Sequence, residues 1–79
     1  MKLTYDPDVN IAYIRLRRKS AKVTTVSVSD ELNVDLGPDG RIYGIEFLNA
    51  NEQLAGERVK KLIVENTRSG QSTELRLAV

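Results

Sequence analysis

The chain contains no cysteine and no histidine among its 79 residues. The absence of cysteine excludes disulfides, thiolate metal sites and cysteine nucleophiles. The absence of histidine removes the most common general base and the most common metal ligand. The only aromatic residues are one phenylalanine and three tyrosines. The composition therefore predicts a protein with no cofactor, no metal and no catalytic residue.

Long apolar runs are also missing. The longest, Ile11–Ile14 and Leu62–Val64, are far shorter than the roughly 20 residues that span a bilayer. The first residues, Met1–Asp6, contain neither the apolar stretch nor the small-residue cleavage site of an export signal. We therefore expect a cytoplasmic protein that does not contact a membrane.

The net charge is only +1, but the charges are segregated along the chain. Residues 1–22 have six basic and two acidic side chains. Residues 23–57 have one basic and seven acidic side chains, and residues 58–79 have five basic and two acidic side chains. Either these segments neutralise each other, or they form faces of opposite sign that steer a charged partner. We favour neutralisation, because exposed ion pairs select partners weakly. The basic residues of Arg15–Lys22 lack interleaved aromatics, so nucleic-acid binding is not expected.

Alternating apolar and polar residues indicate a series of β-strands. Turn-forming residues at Asp6–Asn10 separate the first two strands and predict an N-terminal hairpin. Gly37–Gly40 has the chemistry of a tight turn with a bulge. Gly44, inside a strand, marks a bulge or a close approach of another group to the backbone. The predicted strands are residues 2–5, Ile11–Leu16, Val23–Ser29, Leu32–Leu36, Arg41–Leu48 and Leu75–Val79.

The sequence predicts one short helix, near residues 50–56, with Asn49 or Asn51 as its N-cap. Residues 58–66 fit either a helix or a strand. We favour a strand, because the final strand needs a neighbour to satisfy its backbone hydrogen bonds. The predicted fold class is α+β, with a mainly antiparallel sheet built from hairpins and one short helix.

A chain of this length allows one domain, which we take to be residues 1–79. Such a chain buries only roughly 60–65% of its unfolded surface, so its core is thin. Small proteins often gain stability from disulfides, metals or a partner chain. Leu75, Leu77 and Val79 form an apolar final strand whose edge can pair with another chain. These are our candidate interface residues, in a non-enzymatic, self-associating domain, with a dimer favoured, that also binds a small protein partner.

Two segments together resemble a known family. Lys2–Asp8 followed by Ala12–Leu16 resembles its opening hairpin, and Asn33–Leu36 followed by Asp39–Leu48 resembles its second signature. This is the uncharacterised bacterial and archaeal group called domain of unknown function 2283, and the resemblance covers about residues 1–55. It implies a small α+β domain with a mainly antiparallel sheet and no established activity. Some members lie beside small toxin-like proteins, which implies an antitoxin-like role as an alternative function.

Three carboxylates, Asp35, Asp39 and Glu46, flank one predicted hairpin, together with Tyr43. Carboxylates on adjacent strands can bind a hard cation or share a proton, so these four are candidate ligand-binding residues. Outward charges beside a turn explain them equally well. Glu46 shares a face with Gly44, which leaves room above the backbone.

Two further patterns concern the first hairpin. Tyr5 and Tyr13 are expected to stack across it, which is a packing contact. Asp6, Asp8 and Asn10 match the start of a calcium loop, but isoleucine stands where such a loop requires glycine. These side chains are therefore expected to stabilise the turn rather than to bind a metal.

Overall fold

A computed structural model of the protein describes residues 1–18, 22–55 and 60–79. It contains a five-stranded antiparallel sheet, one short helix and a separate two-stranded hairpin, which confirms the predicted fold class. No helix in the described ranges is long and apolar enough to cross a membrane. The elements are β1 (Lys2–Asp6), β2 (Ile11–Arg15), β3 (Thr24–Ser29), β4 (Leu32–Leu36), β5 (Ile42–Leu48), α1 (Ala50–Leu54), β6 (Lys61–Glu65) and β7 (Ser72–Arg76).

The five-stranded sheet has the order β1-β2-β5-β4-β3. Two hairpins, β1–β2 and β3–β4, therefore flank the central strand β5, and all pairings are antiparallel. Side chains directly opposite each other on neighbouring strands share a face of the sheet. The register thus decides which residues of distant segments lie side by side.

One face of this sheet is apolar. The register aligns a row of aliphatic side chains across all five strands, namely Leu3, Ile14, Ile45, Val34 and Val26. Strict alternation within each strand produces this face, because successive side chains point to opposite sides. In the described chain no large side chain is fully buried, so this face is a thin and partly open core.

The tight turn between β4 and β5 is confirmed. The Gly40 N–H donates to the Gly37 carbonyl at 2.9 Å, and the Gly37 N–H donates to the Arg41 carbonyl at 2.8 Å. Gly40 has a φ of 79°, a left-handed conformation that glycine adopts without steric cost. The register shifts between Asp35 and Leu36, which places the predicted bulge beside the turn.

Helix α1 is shorter than predicted, and residue 56 lies outside the described ranges. Asn49, one of the two predicted positions, is the N-cap residue, but it does not cap the described helix through its side chain. Asn49 precedes the helix with a left-handed φ of 51°, and no helix N–H donates to its side chain. Its side-chain amide instead donates to Glu52 Oε2 at 2.9 Å.

Asn10, in the turn after β1, fastens α1 to the sheet. Its side-chain oxygen accepts hydrogen bonds from the Asn51 N–H and the Tyr5 hydroxyl, both at 3.0 Å. Its amide donates to Oδ1 of Asn49 at 3.2 Å and of Asn51 at 2.8 Å. Its carbonyl also accepts from the Ala50 N–H at 3.0 Å. One side chain thus links the first hairpin to the only helix of the described chain.

The C-terminal hairpin is confirmed, since β6 and β7 pair with each other. This settles the helix-or-strand alternative for residues 61–65 in favour of a strand, while residues 58–59 lie outside the described ranges. Strand β7 ends at Arg76, earlier than the predicted Val79. The Leu77 N–H still donates to the Lys60 carbonyl at 2.9 Å, so the ladder continues one bond beyond the strand.

Candidate functional site

Two of the predicted ligand-binding residues, Asp35 and Glu46, lie on the polar face of the five-stranded sheet. Asp35 of β4 is opposite Gly44 of β5. Glu46 of β5 is opposite Asn33 on one side and Tyr13 on the other. The central strand therefore places the two carboxylates on diagonal positions of adjacent strands, as the alternation of β4 and β5 indicates.

Tyr13 reaches across Gly44 to Asp35. Its hydroxyl donates to Asp35 Oδ2 at 2.7 Å, and the Thr25 hydroxyl donates to Asp35 Oδ1 at 2.6 Å. A Cβ on Gly44 would lie 2.5 Å from Tyr13 Cζ, so the glycine provides the space that the ring occupies. The room predicted above Gly44 is thus filled by tyrosine. Burial, followed by the hydrogen bond to Asp35, raises the pKa of Tyr13 and keeps the phenol a neutral donor.

Glu46 also accepts a hydrogen bond from a residue on the neighbouring strand. Its Oε1 accepts a hydrogen bond from the Asn33 side-chain amide at 2.9 Å. In the part of the chain that the structure describes, no group of three or more Asp, Glu, His or Cys side chains is arranged to hold a metal ion. On the polar face, side-chain hydrogen bonds therefore link β2 and β3 to β4, and β4 to β5, and both carboxylates already accept side-chain donors.

Asp39 and Tyr43, the other two predicted ligand-binding residues, lie elsewhere. Asp39 belongs to the β4–β5 turn, whereas Tyr43 is a buried residue of β5 beside the register shift. Asp39 and Tyr43 line one shallow depression together with Arg17. In the described chain neither residue shares a hydrogen bond with Asp35 or Glu46, so the four predicted residues do not form one hydrogen-bonded site.

Asp39 forms a two-pronged ion pair with Arg17, which follows β2. Both bonds, Nη1 to Oδ2 and Nη2 to Oδ1, measure 3.0 Å. The Arg41 N–H also donates to Asp39 Oδ1 at 3.0 Å. The contact with Arg17, followed by the bond from the Arg41 N–H, holds the pKa of Asp39 well below its usual range. This pair ties the end of β2 to the turn, and Arg17 was not among the predicted site residues.

The expected stacking of Tyr5 and Tyr13 is wrong. Tyr5 is opposite Ala12, and Tyr13 is opposite Thr4, so the two rings lie on different faces of the hairpin. The two tyrosines lie on neighbouring strands of one hairpin, but the register does not place them opposite each other. Each tyrosine shares its face of the sheet with its own partner on the other strand. Tyr5 instead bonds Asn10 on the side of α1.

The turn at Asp6–Asn10 has the expected stabilising bonds. Asp6 Oδ1 accepts a hydrogen bond from the Asp8 N–H at 2.9 Å, which is the local pattern of an Asx turn. Asn10 has a left-handed φ of 55° and binds the helix end rather than its own turn. Its role was missed because its partners lie 39 and 41 residues away.

An apolar groove of about 510 Å³ lies between the C-terminal hairpin and the β1–β2 end of the apolar sheet face. We call it the hairpin groove. The structure brings all three predicted interface residues to its wall. Its aliphatic lining comprises Leu3, Ile14, Leu62, Leu75, Leu77 and Val79.

The wall of the hairpin groove is only partly covered. Leu75 is 54% exposed and Leu62, its cross-strand neighbour, is 43% exposed. Leu77 and Val79 are half-buried. The Lys60 ammonium donates to the main-chain oxygen of Val79 at 2.6 Å and holds this segment beside the hairpin. The groove therefore presents aliphatic surface to solvent from both strands of the hairpin.

Comparison with known proteins identifies one family and no nearer relative. No curated protein and no solved structure matches the chain. The family described as "Protein of unknown function (DUF2283)" matches residues 2–51, which contain all five strands of the large sheet. The match confirms the resemblance of the two sequence signatures, and the chain belongs to the DUF2283 family.

Proposed function

We propose that this protein is a non-enzymatic interaction domain of the cytoplasm that works as an assembly of identical copies, most simply a dimer. The observation that supports this proposal is the large apolar surface that a single copy leaves open. Neither histidine nor cysteine is present to supply the usual acid–base or nucleophilic chemistry. The carboxylates of the polar face are engaged in hydrogen bonds within the sheet.

One copy exposes more surface than its mass requires. Its accessible surface is 6343 Å², whereas a compact monomer of the same mass exposes about 4,800 Å². The excess of about 1,500 Å² is larger than the ~800 Å² that each partner buries in a standard protein interface. The radius of gyration is 14.1 Å, compared with about 12 Å for a compact domain of this length.

The small number of buried residues agrees with the large exposed surface. The buried apolar residues of the described chain are Ala12, Tyr43 and Ala50, and two of these are small. A core this thin contributes little hydrophobic free energy, because that contribution scales with the apolar area removed from water. Covering the open apolar face with a second copy adds burial that one chain does not achieve.

The test is the mass of the full-length chain in solution, measured by light scattering after size exclusion and by native mass spectrometry over a dilution series. We expect a mass twice that of the 8.8 kDa chain, with dissociation only on strong dilution. A chain that stays monomeric and folded at every concentration would overturn the proposal.

The alternative functions have weaker support. In the described ranges no contact favours an antitoxin-like role or a ligand at Glu46, and the segregated charge is compatible with internal neutralisation. A small protein partner would join the assembly as an additional component. Co-expression with neighbouring gene products, followed by native mass spectrometry, separates a stoichiometric complex from a bare homo-oligomer.

A further inference from the structure

We infer that the hairpin groove is the surface through which two copies of this chain associate, each copy packing Leu62 and Leu75 against the same groove of the other. This inference rests on the proposed self-association and specifies where it occurs. A dimer with this arrangement is isologous, because the same patch of both copies forms the contact.

The hairpin groove is lined largely by aliphatic side chains. Its aliphatic residues come from β1, β2 and the C-terminal hairpin, so burial there removes apolar area from water on three elements at once. Leu62 and Leu75 are opposite each other on β6 and β7, and both are partly exposed. When the same patch of two copies meets, each copy covers the exposed leucines of the other.

The C-terminal hairpin has little packing against the rest of the described chain. An isolated two-stranded hairpin is marginally stable in water and needs packing against another surface. In the described ranges, β6 and β7 make extensive contacts only with each other. Leu75 keeps 54% of its surface exposed. A second copy seated in the hairpin groove supplies the packing that the hairpin lacks within one chain.

The surface that one copy exposes is large enough for such an interface. Its excess over a compact monomer, about 1,500 Å², is larger than the ~800 Å² per partner of a standard interface. Pairing at the free edge of β3 alone would leave the hairpin groove open, whereas a contact centred on the groove covers the exposed aliphatic surface of Leu62 and Leu75.

The experiment compares four single substitutions to lysine in the full-length chain: Leu75→Lys, Leu62→Lys, Ile63→Lys and Val26→Lys. Leu75 and Leu62 line the hairpin groove. Ile63 is the matched control, since it is 50% exposed and lies opposite Glu74 on the other face of the same hairpin. Val26 is 43% exposed on the β3 edge, distant in the sheet order from β1 and β2.

We expect Leu75→Lys and Leu62→Lys to raise the dimer dissociation constant by about tenfold or more, since a buried lysine in an apolar contact weakens it by over 1.4 kcal/mol. Ile63→Lys and Val26→Lys should leave it within about twofold. Circular dichroism verifies that each variant is folded. Because two different groove residues are tested, the misfolding of one variant leaves a second measurement.

The outcomes distinguish this inference from the proposed function. A wild-type dimer that all four variants retain would overturn the groove as interface while leaving self-association intact. Dissociation by Val26→Lys alone would assign the contact to the β3 end of the apolar sheet face instead. A wild-type chain that is monomeric at every concentration would overturn both.

Discussion

Gly44 and Tyr13 form a pair in which the missing side chain of one residue makes room for the ring of the other. The ring crosses the backbone of β5 at Gly44 to reach Asp35 on β4. Any side chain on Gly44 displaces this ring from its position. The hydrogen bond to Asp35 would then be lost together with the packing.

Gly44→Ala is therefore expected to lower the free energy of unfolding by about 1–3 kcal/mol, as overpacking does in a close contact. Urea denaturation of both chains measures this difference. In a Tyr13→Ala background the same substitution should cost less than about 0.5 kcal/mol, because the obstructing ring is gone. Equal costs in both backgrounds would mean that the ring does not restrict Gly44.

Asp39 gives the protein a predictable acid sensitivity. Because its pKa is lowered in the folded state, first by Arg17 and then by the Arg41 N–H, its contribution to stability is complete above the unfolded pKa of about 4. That contribution is lost as the pH falls through the lower, folded pKa. Asp39→Asn should therefore flatten the decline of unfolding free energy below about pH 4.

Urea denaturation at a series of acidic pH values measures this slope. Arg17→Gln provides an independent route to the same result, because it removes the largest cause of the lowered pKa. Both variants should show the flatter profile. A slope that neither substitution changes would show that the acid sensitivity arises at other carboxylates.

The residue scale also marks the limit of what sequence patterns predict. An isolated glycine inside a strand indicated a close approach at Gly44, because only such an approach or a bulge explains its presence there. The identity of the approaching group did not follow, since Tyr13 is brought there by the register of β2 with β5. The register of β1 with β2 separates Tyr5 from Tyr13, although their positions on the two strands of one hairpin suggested stacking.

At the scale of elements, Asn10 is the link between the first hairpin and helix α1. A helix of five residues lacks enough internal hydrogen bonds to be stable alone, so tertiary contacts must hold it. Asn10 provides both a donor and an acceptor to the first turn of the helix. The short helix is therefore stabilised by Asn10, which lies in the turn between β1 and β2.

Asn10→Ala should lower the free energy of unfolding by about 1–3 kcal/mol, because it leaves the Asn51 N–H and the Tyr5 hydroxyl without their acceptor. Asn51→Ala is the milder control, since its backbone N–H keeps the bond to Asn10. Chemical denaturation of the three chains gives the comparison. Equal losses for both variants would contradict the linking role of Asn10.

Strands with strict alternation were predicted well, and the short helix was predicted near its observed place. The alternation of apolar and polar residues in Leu32–Leu36 is itself a strand signal, so the local sequence is sufficient there. Residues 61–65 fit both periods, and only pairing with β7 determines that they form a strand. The position of β5 between β2 and β4 depends on contacts between distant segments, which alternation alone does not encode.

At the scale of the whole molecule, the two sheets differ in the number of neighbouring strands with which their strands pair. In the described ranges, three strands of the five-stranded sheet pair on both sides, whereas β6 and β7 pair only with each other. Opening of a small, exposed unit costs less free energy than global unfolding. We therefore expect the backbone amides of β6 and β7 to exchange hydrogen faster than those of β2 and β5.

If the second copy covers the hairpin groove, exchange at β6 and β7 must depend on protein concentration, because binding to the folded state stabilises it by mass action. Hydrogen–deuterium exchange read by mass spectrometry should show slower exchange in residues 61–76 as concentration rises. Exchange in β5 should change less, because its opening is limited by the larger sheet. In the Leu75→Lys chain the hairpin should exchange rapidly at every concentration. Slow, concentration-independent exchange of the wild-type hairpin would mean that it is already stable within one copy and that the open groove requires no partner.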